Sequence, residues 1–381
     1  MPAPDHASTT DVLVIGAGPA GSFAARQLAR TGLDVTLAER STFPREKACG
    51  CCLNELGLKV LRRAGLGDLP ASLGGRALDE VYLASAGRSA RLPLPGGIAL
   101  SRSRLDEGLL NAARDAGATV HTETAARVGH SDARGIRATL QGSDAPREVR
   151  ARVVLVADGL AGSSLRDRQD FRVAVAPAAL MGAAAIAPGA PMSYREGVIY
   201  SAIGERGYCG VVLIEAGRAD VAAALDPAFA KQAGGPGPAS LALLESAGLP
   251  VPDTWRGLDW HGSPRLTRRR EPSAAQRLFL LGDAAGFVEP FTGEGMTWAL
   301  LTAEAVTELA AAGADQWRAD LVPAWERRYR TLLAHRQRRC HLIARLLRHP
   351  HAVRAAVGAI DVWPGLARPV VRRIAAGAPG D

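Results

Sequence analysis

The stretch Asp11-Val12-Leu13-Val14-Ile15-Gly16-Ala17-Gly18-Pro19-Ala20-Gly21 decides how this chain folds. Its apolar run Val12–Ile15, entered from Asp11, suits a buried parallel strand. Three glycines follow without a gap, spaced G-x-G-x-x-G. In such a turn Gly16 permits the sharp reversal, Gly18 lets backbone approach a pyrophosphate, and Gly21 allows close helix–strand packing. Ser22–Thr31 reads as a helix ended by Gly32, which suits a C-cap position. Val35–Ala38 reads as the next strand, with Glu39 and Arg40 at its end. The helix N-terminus would offer free N–H groups and a positive dipole to phosphates. Glu39, 18 residues beyond Gly21, can accept from ribose hydroxyls. The unit therefore predicts a dinucleotide site, and alone it does not choose between NAD and FAD.

Outward from this unit the pattern stays α/β. Leu105–Ala116 reads as a helix capped by Ser103 and ended at Gly117. Thr119–Thr122, Ile136–Leu140 and Val149–Arg152 read as short strands, the last two in a hairpin region. Val153–Ala157 reads as a second buried strand, stopping at Asp158-Gly159. From Phe171 to about Gln276 the pattern changes to short strands, Arg172–Val175, Leu180–Ile186, Gly197–Ala202 and Gly210–Ile214, separated by turn residues. Pro227–Gly234, with Asp226 as N-cap and Pro227 first in the helix, and Ser240–Ala247 are its helices. Leu278–Leu281 reads as a third buried strand and runs into Gly282-Asp283. Gly295–Ala312 and a long basic stretch, Ala319–His349, read as helices, with a tail after Pro350.

The chain has 381 residues, nearly half of them apolar, so a packed globular core is expected. Its formal net charge is +8, with much of the excess in Arg265–Arg270 and between Arg327 and Arg373. No nucleic-acid module is legible by motif, so nucleic acid is not an expected partner. The five cysteines, three of them in Cys49-Gly50-Cys51-Cys52, and the polar N-terminus lead to the expectation of a reducing cytoplasm. No run approaches about 18 uninterrupted apolar residues, so no membrane span is expected. No metal-ligand spacing is evident around the cysteines, and no metal is expected.

Four separated motifs lie in order along the chain. They are GAGPAG with Glu39-Arg40, Arg102 with Leu105-Asp106, Ala157-Asp158-Gly159, and Gly282-Asp283-Ala284-Ala285-Gly286 running to Thr292-Gly293-Glu294-Gly295. On these the chain resembles the FAD-dependent oxidoreductases that include aromatic hydroxylases of the p-hydroxybenzoate hydroxylase type, geranylgeranyl reductases and flavin halogenases. The resemblance implies an α/β fold. A Rossmann-like FAD-binding domain of the glutathione-reductase type would carry an inserted antiparallel-sheet substrate domain and C-terminal helices. It places the FAD-binding domain at residues 8–75, 97–170 and 277–320, the substrate lobe at 76–96 and 171–276, and a C-terminal helical region at 321–381. It implies that FAD is held by Gly16, Gly18, Pro19, Ala20, Gly21, Glu39, Arg40, Arg45, Cys49, Gly50, Arg102, Asp158, Gly282, Asp283, Pro290, Gly293, Glu294, Gly295 and Met296. NADPH or NADH would visit transiently as reductant.

Within that group, Phe43–Gly50 resembles the Cys-Gly element of geranylgeranyl reductase-like proteins, a subgroup that includes flavoproteins oxidising phenolic lipids. The Trp-x-Trp-x-Ile-Pro element of halogenases is absent. Gly207–Val212 stands where the reductases carry Tyr-x-Trp-x-Phe-Pro, without the Trp and Phe-Pro. The leading expectation is a monooxygenase acting on a lipophilic aromatic or polyketide-type substrate. The alternative is a reductase of carbon–carbon double bonds, and a third reading is a flavoprotein that senses redox state through its cysteine cluster. Tyr208 and Cys49 are the candidates for a catalytic role. Tyr200, Glu289 and His261 are further polar candidates near the ring or in the lobe. The apolar faces of the C-terminal basic stretch have two readings: helices packed on the FAD domain, or peripheral membrane contact. The sequence carries no signal for the oligomeric state.

Overall fold

Val12–Ile15 lies at the centre of an eight-stranded sheet. The structure, a computed structural model, describes residues 8–289, 291–363 and 365. The sheet runs Ala274–Ala275, Leu278–Leu280, Arg147–Val156, Ser8–Ile15, Val35–Ala38, Thr119–His121, with Gly135–Gln141 and then Ala125–Asp132 branching from Arg147–Val156. The strands from Leu278–Leu280 to Thr119–His121 are mutually parallel. Val12, Leu13 and Val14 are fully buried, as are Val153–Val156 beside them. Burial on both faces is why these strands read as unbroken apolar runs.

Three helices cover one face: Pro19–Ala29, Arg102–Asp115 and Gly295–Asp315. They share a core of Phe23, Leu28, Leu105, Leu109, Leu300 and Val306. Leu321–Leu347 packs along Gly295–Asp315 through Leu321 and Trp325. Pro350–Val362 then crosses to the second sheet and seats Val353 and Val357 against Leu83, Leu92 and Ile203. So the stretch after Pro350, expected only as a tail, is a helix that roofs the lobe.

The lobe is a seven-stranded sheet in the order His261–Arg265, Met181–Ala187, Ala219–Leu225, Gly207–Leu213, Val198–Gly204, Glu80–Ser85, Arg88–Pro93. Its pairings are antiparallel except that of Val198–Gly204 with Glu80–Ser85, which is parallel. That join stitches the hairpin of residues 80–93 onto strands more than a hundred residues later.

Four sequence expectations are corrected. Val149–Arg152 and Val153–Ala157 are one strand, Arg147–Val156, whose first half pairs with Gly135–Gln141 and whose second half lies between parallel neighbours. Arg172–Val175 leaves the lobe sheet and pairs with Arg268–Glu271, which pairs in turn with Gly286–Phe287. Ala219–Leu225 is a strand that alanine-rich composition hid. The helix cap is Ser101 rather than Ser103: the Ser101 hydroxyl accepts from the Arg104 N–H at 3.3 Å. That shift puts Arg102 inside the first turn, aimed at the glycine loop. Asp226 caps its helix as expected, accepting from the Ala228 and Phe229 amides.

Candidate functional site

The glycine loop shows why each glycine is there. Gly16 has φ +99°, and a Cβ on it would meet the Ala157 carbonyl oxygen at 2.5 Å. A Cβ on Gly21 would stand 1.8 Å from the Gly16 carbonyl oxygen. These two close the turn and seat the helix. Gly18 differs: the atoms nearest its Cβ position are guanidinium nitrogens of Arg102 at 3.7 Å and Arg45 at 3.9 Å. Its missing side chain leaves a gap bracketed by two cations at a helix N-terminus, which suits a pyrophosphate.

Asp106 holds those cations. It is fully buried, takes two hydrogen bonds from Arg102 at 2.9 and 2.8 Å, and lies 3.2 Å from Arg45. The Arg45 Nε is buried without a partner, a donor left over for a ligand. Glu39 accepts from the Ala17 amide at 2.8 Å and the Ser41 amide at 2.9 Å, which fixes its carboxylate at the end of the second strand. Lys47 was not anticipated. It lines the same cavity beside Asp283, and burial lowers its pKa, with Arg102 and Arg45 acting in the same direction. Burial raises the Asp283 carboxyl while Lys47 and Arg102 oppose that rise. Gly282 donates its amide to Thr302 Oγ1 at 3.0 Å and would meet the Ala20 methyl. The hydrogen bond ties the downstream motif to Gly295–Asp315, beside Ala20 of the first helix.

All of this opens into one cavity of about 950 Å³. Gly16, Gly18, Pro19, Ala20, Glu39, Arg40, Arg45, Cys49, Gly50, Arg102, Asp158, Gly282, Asp283, Gly293, Gly295, Met296 and Tyr208 all line it. Gly21 stands behind the wall, packing the helix. Glu294 also stands off the wall: 1% exposed, it accepts from the Cys340 thiol at 3.1 Å, and burial pushes its carboxyl up. Its side chain points toward Leu321–Leu347, so a contact from Glu294 to the cofactor would come from its backbone. Pro290 lies outside the described residues. Asp158 accepts from the Ser164 amide at 3.0 Å and leaves Oδ1 buried without a partner.

Beyond the cradle the cavity becomes apolar, walled by Leu83, Leu92, Ile203, Phe291, Val353 and Val357. Tyr208 sits there edge-on to Phe291, with ring centroids 5.0 Å apart. Burial, with Glu289 and Cys340 nearby, pushes its hydroxyl well above the usual range. His261 also reaches the cavity. Tyr200 does not: its hydroxyl accepts from the Arg195 amide and donates to the Ser193 carbonyl. Glu289 is spent on Arg348 at 3.3 Å. Asp220, unnoticed in the sequence, is 2% exposed on Ala219–Leu225 and reaches the cavity wall near the cysteines. Burial and the neighbouring Cys49 push its carboxyl well up.

Comparison with known proteins agrees with this geometry. Residues 9–216 match the family described as FAD binding domain, and the chain belongs to that family. FAD is the cofactor whose cradle has been described. Conditioned medium factor receptor 1 of Dictyostelium discoideum is 27% identical over 335 residues, 78% of this chain and 62% of the relative. Menaquinone reductase of Mycobacterium tuberculosis is 35% identical over 158 residues, 40% of this chain and 38% of the relative. The chain thus spans less than two thirds of the length of these curated relatives. The flavin-dependent brominase Bmp2 superposes with TM-score 0.80 at 17% identity, covering 97% of this chain and 94% of Bmp2. PqsL of P. aeruginosa in complex with 2-aminobenzoylacetate superposes with TM-score 0.73 at 22% identity, covering 91% and 98%. At these identities the structural likeness is one of fold.

Proposed function

We propose that this FAD-binding chain is an FAD-dependent oxidoreductase, and specifically a monooxygenase that hydroxylates a lipophilic aromatic or polyketide-type substrate, with NADPH or NADH as reductant. The observation that carries this reading is the continuity of the cavity. The pyrophosphate cradle and a wall of aliphatic side chains belong to one continuous cavity. The chemistry supplied by bound FAD is transfer of electrons from the nicotinamide to dioxygen. The FAD-holding roles assigned above are part of the proposal: Arg45, Arg102 and the glycine loop for the pyrophosphate, Glu39 for the ribose, Asp283 for the ribityl chain. Leu83, Leu92, Ile203 and Val357 exclude water and orient an apolar substrate. Tyr208 keeps its proton at neutral pH and stands where it can donate a hydrogen bond to a substrate oxygen. PqsL, a monooxygenase-fold neighbour crystallised with a small aromatic compound, supports this substrate class.

The alternative, hydride delivery to a carbon–carbon double bond, is favoured by the likeness to menaquinone reductase over 40% of this chain. One experiment separates the two. The FAD-loaded protein is given NADPH or NADH and an alkyl-resorcinol, with and without oxygen, and the product mass is read. A product heavier by one oxygen atom, formed only in air, supports the monooxygenase. A product heavier by two hydrogens, formed anaerobically, replaces it with the reductase.

Peripheral membrane contact belongs to the same proposal. No helix among the described residues is long and apolar enough to cross a membrane. Leu346 both lines the cavity and is 45% exposed, and Leu342, Val362 and Trp363 are more exposed still. Exposed Arg338, Arg345 and Arg354 lie on the same two helices, charge that an anionic lipid surface would attract.

A further inference from the structure

Ala219–Leu225, the strand that alanine hid, carries a single charged side chain, Asp220. Successive residues of a strand point to opposite faces. Ala219, Val221 and Ala223 join the core that holds Leu241 and Leu244. Asp220, Ala222 and Ala224 line the cavity. Asp220 is 2% exposed, and its Oδ1 is buried with no hydrogen-bond partner among the described residues. Its cross-strand neighbours, Val212 and Ile186, lie in an apolar cluster with Leu78 and Ile199. A carboxyl in such surroundings is costly unless a donor reaches it. The cavity is the open side from which a donor can come.

From Asp220 the cavity floor runs along the strands. Two residues on, Ala222 pairs with Gly210, and Gly210 with Ser201. A Cβ on Gly210 would meet only two strand carbonyl oxygens, at 3.6 and 3.7 Å, so the space above it is open. Two residues further, Ala224 pairs with Tyr208, and Tyr208 with Ile203. There Val353 and Val357 form the roof. At strand spacing, that row lies about 13 Å from Asp220. The cavity is thus acidic at one end, small-residue in the middle and aliphatic at the other.

We propose that Asp220 is a specificity residue whose carboxyl accepts a hydrogen bond from a hydroxyl on the substrate ring, selecting a ring with a free hydroxyl over the same ring with that oxygen methylated. Ionised or protonated, the carboxyl keeps a lone pair with which to accept. A hydroxyl fits this end better than an ammonium group. It brings one donor to one open oxygen, whereas ammonium would bring three into apolar surroundings. The anchor also sets direction: with the hydroxyl at Asp220, an apolar arm lies over Ala222 and Gly210 toward Val353 and Val357. The anchor presupposes the aromatic substrate proposed above and adds the residue that selects its hydroxyl.

The test is calorimetric titration of the FAD-loaded protein with pentylresorcinol and with its dimethyl ether, without NADPH or NADH so that no turnover intervenes. Wild type should bind the resorcinol about ten-fold more tightly than the ether, the effect of one hydrogen bond to a buried carboxyl. Asp220→Leu replaces the carboxyl by an apolar side chain of similar shape that Val212 and Ile186 can accept. It should erase the preference by weakening the resorcinol while the ether binds as before; a merely structural role would weaken both ligands alike. Asp220→Asn keeps a carbonyl oxygen and should keep part of the preference. Equal binding of the two ligands by wild type, a preference that survives in Asp220→Leu, or equal weakening of both ligands there overturns the anchor and leaves the aromatic substrate standing. Binding of neither ligand by wild type overturns both.

Discussion

Gly18→Ala and Gly21→Ala, compared side by side, separate what the glycine loop does for the fold from what it does for the cofactor. Gly21→Ala places a methyl 1.8 Å from the Gly16 carbonyl oxygen, at least about 1 Å closer than a carbon can stand. The helix Pro19–Ala29 must draw back from the first strand, and overpacking of this kind costs about 1–3 kcal/mol. Gly18→Ala meets nothing nearer than 3.7 Å, and Gly18 has φ −76° and ψ −175°, which alanine adopts freely. The reduced freedom of the unfolded chain and the poorer N-cap act in opposite directions, so apo stability should stay within about 1 kcal/mol. FAD binding should nonetheless fall. The new methyl occupies the gap between the Arg45 and Arg102 guanidiniums where the pyrophosphate is placed. Losing one charge-assisted hydrogen bond of about 1.5–3 kcal/mol predicts roughly a 10- to 150-fold weaker Kd. Urea denaturation of the apo proteins reads the first effect, and titration of FAD fluorescence quenching reads the second. If Gly18→Ala binds FAD as tightly as wild type, the pyrophosphate does not lie on this loop. If Gly21→Ala unfolds at the wild-type urea midpoint, the packing argument is wrong.

Asp106→Asn removes the carboxylate that neutralises the buried Arg102 and leaves Arg45 only Glu39; it should destabilise the apo protein by ~3 kcal/mol in urea denaturation, and FAD should restore part of the loss by supplying phosphate charge. Asp220→Asn tests the raised carboxyl. Its folded pKa lies above the unfolded value of about 3.9, so the folded state binds more protons and the group's contribution falls as pH rises from there toward the folded pKa. Wild type should therefore lose more stability than Asp220→Asn between pH 5 and 8; equal slopes would mean that this carboxyl is ionised throughout. Leu346→Glu with Trp363→Glu should abolish flotation with anionic phosphatidylglycerol vesicles at low salt, and absence of flotation by the wild-type chain removes the membrane contact altogether.

What the sequence determined by itself was whatever depends on neighbours along the chain. The strand, glycine turn, helix and strand of residues 8–38 are a local unit, and the Pro227–Gln232 helix declares itself through its Asp226 cap. FAD was legible because the motifs that carry the resemblance stand at turns, strand ends and a helix start, where residue type is dictated by backbone approach and charge. Tertiary structure decided the rest, for reasons of register and side-chain direction. Ala219–Leu225 carries little strand preference of its own and becomes central only because strands on both sides pair with it. Asp106 is legible as part of a motif, but only packing of the Arg102–Asp115 helix beside the glycine loop makes it a clamp on two guanidiniums; Lys47, an ordinary charge in the sequence, lines the cavity near Asp283. Glu294 sits among cofactor motifs, yet the turn before Gly295 aims it at Cys340. The cysteine cluster offered three readings, and tertiary structure sets Cys52 in a small sheet beside Ala99 while Cys49 and Cys51 line the cavity. The apolar end of the cavity exists only where the parallel join at Glu80–Ser85 and the helix Pro350–Val362 meet, a contact between segments some 270 residues apart that no local pattern encodes.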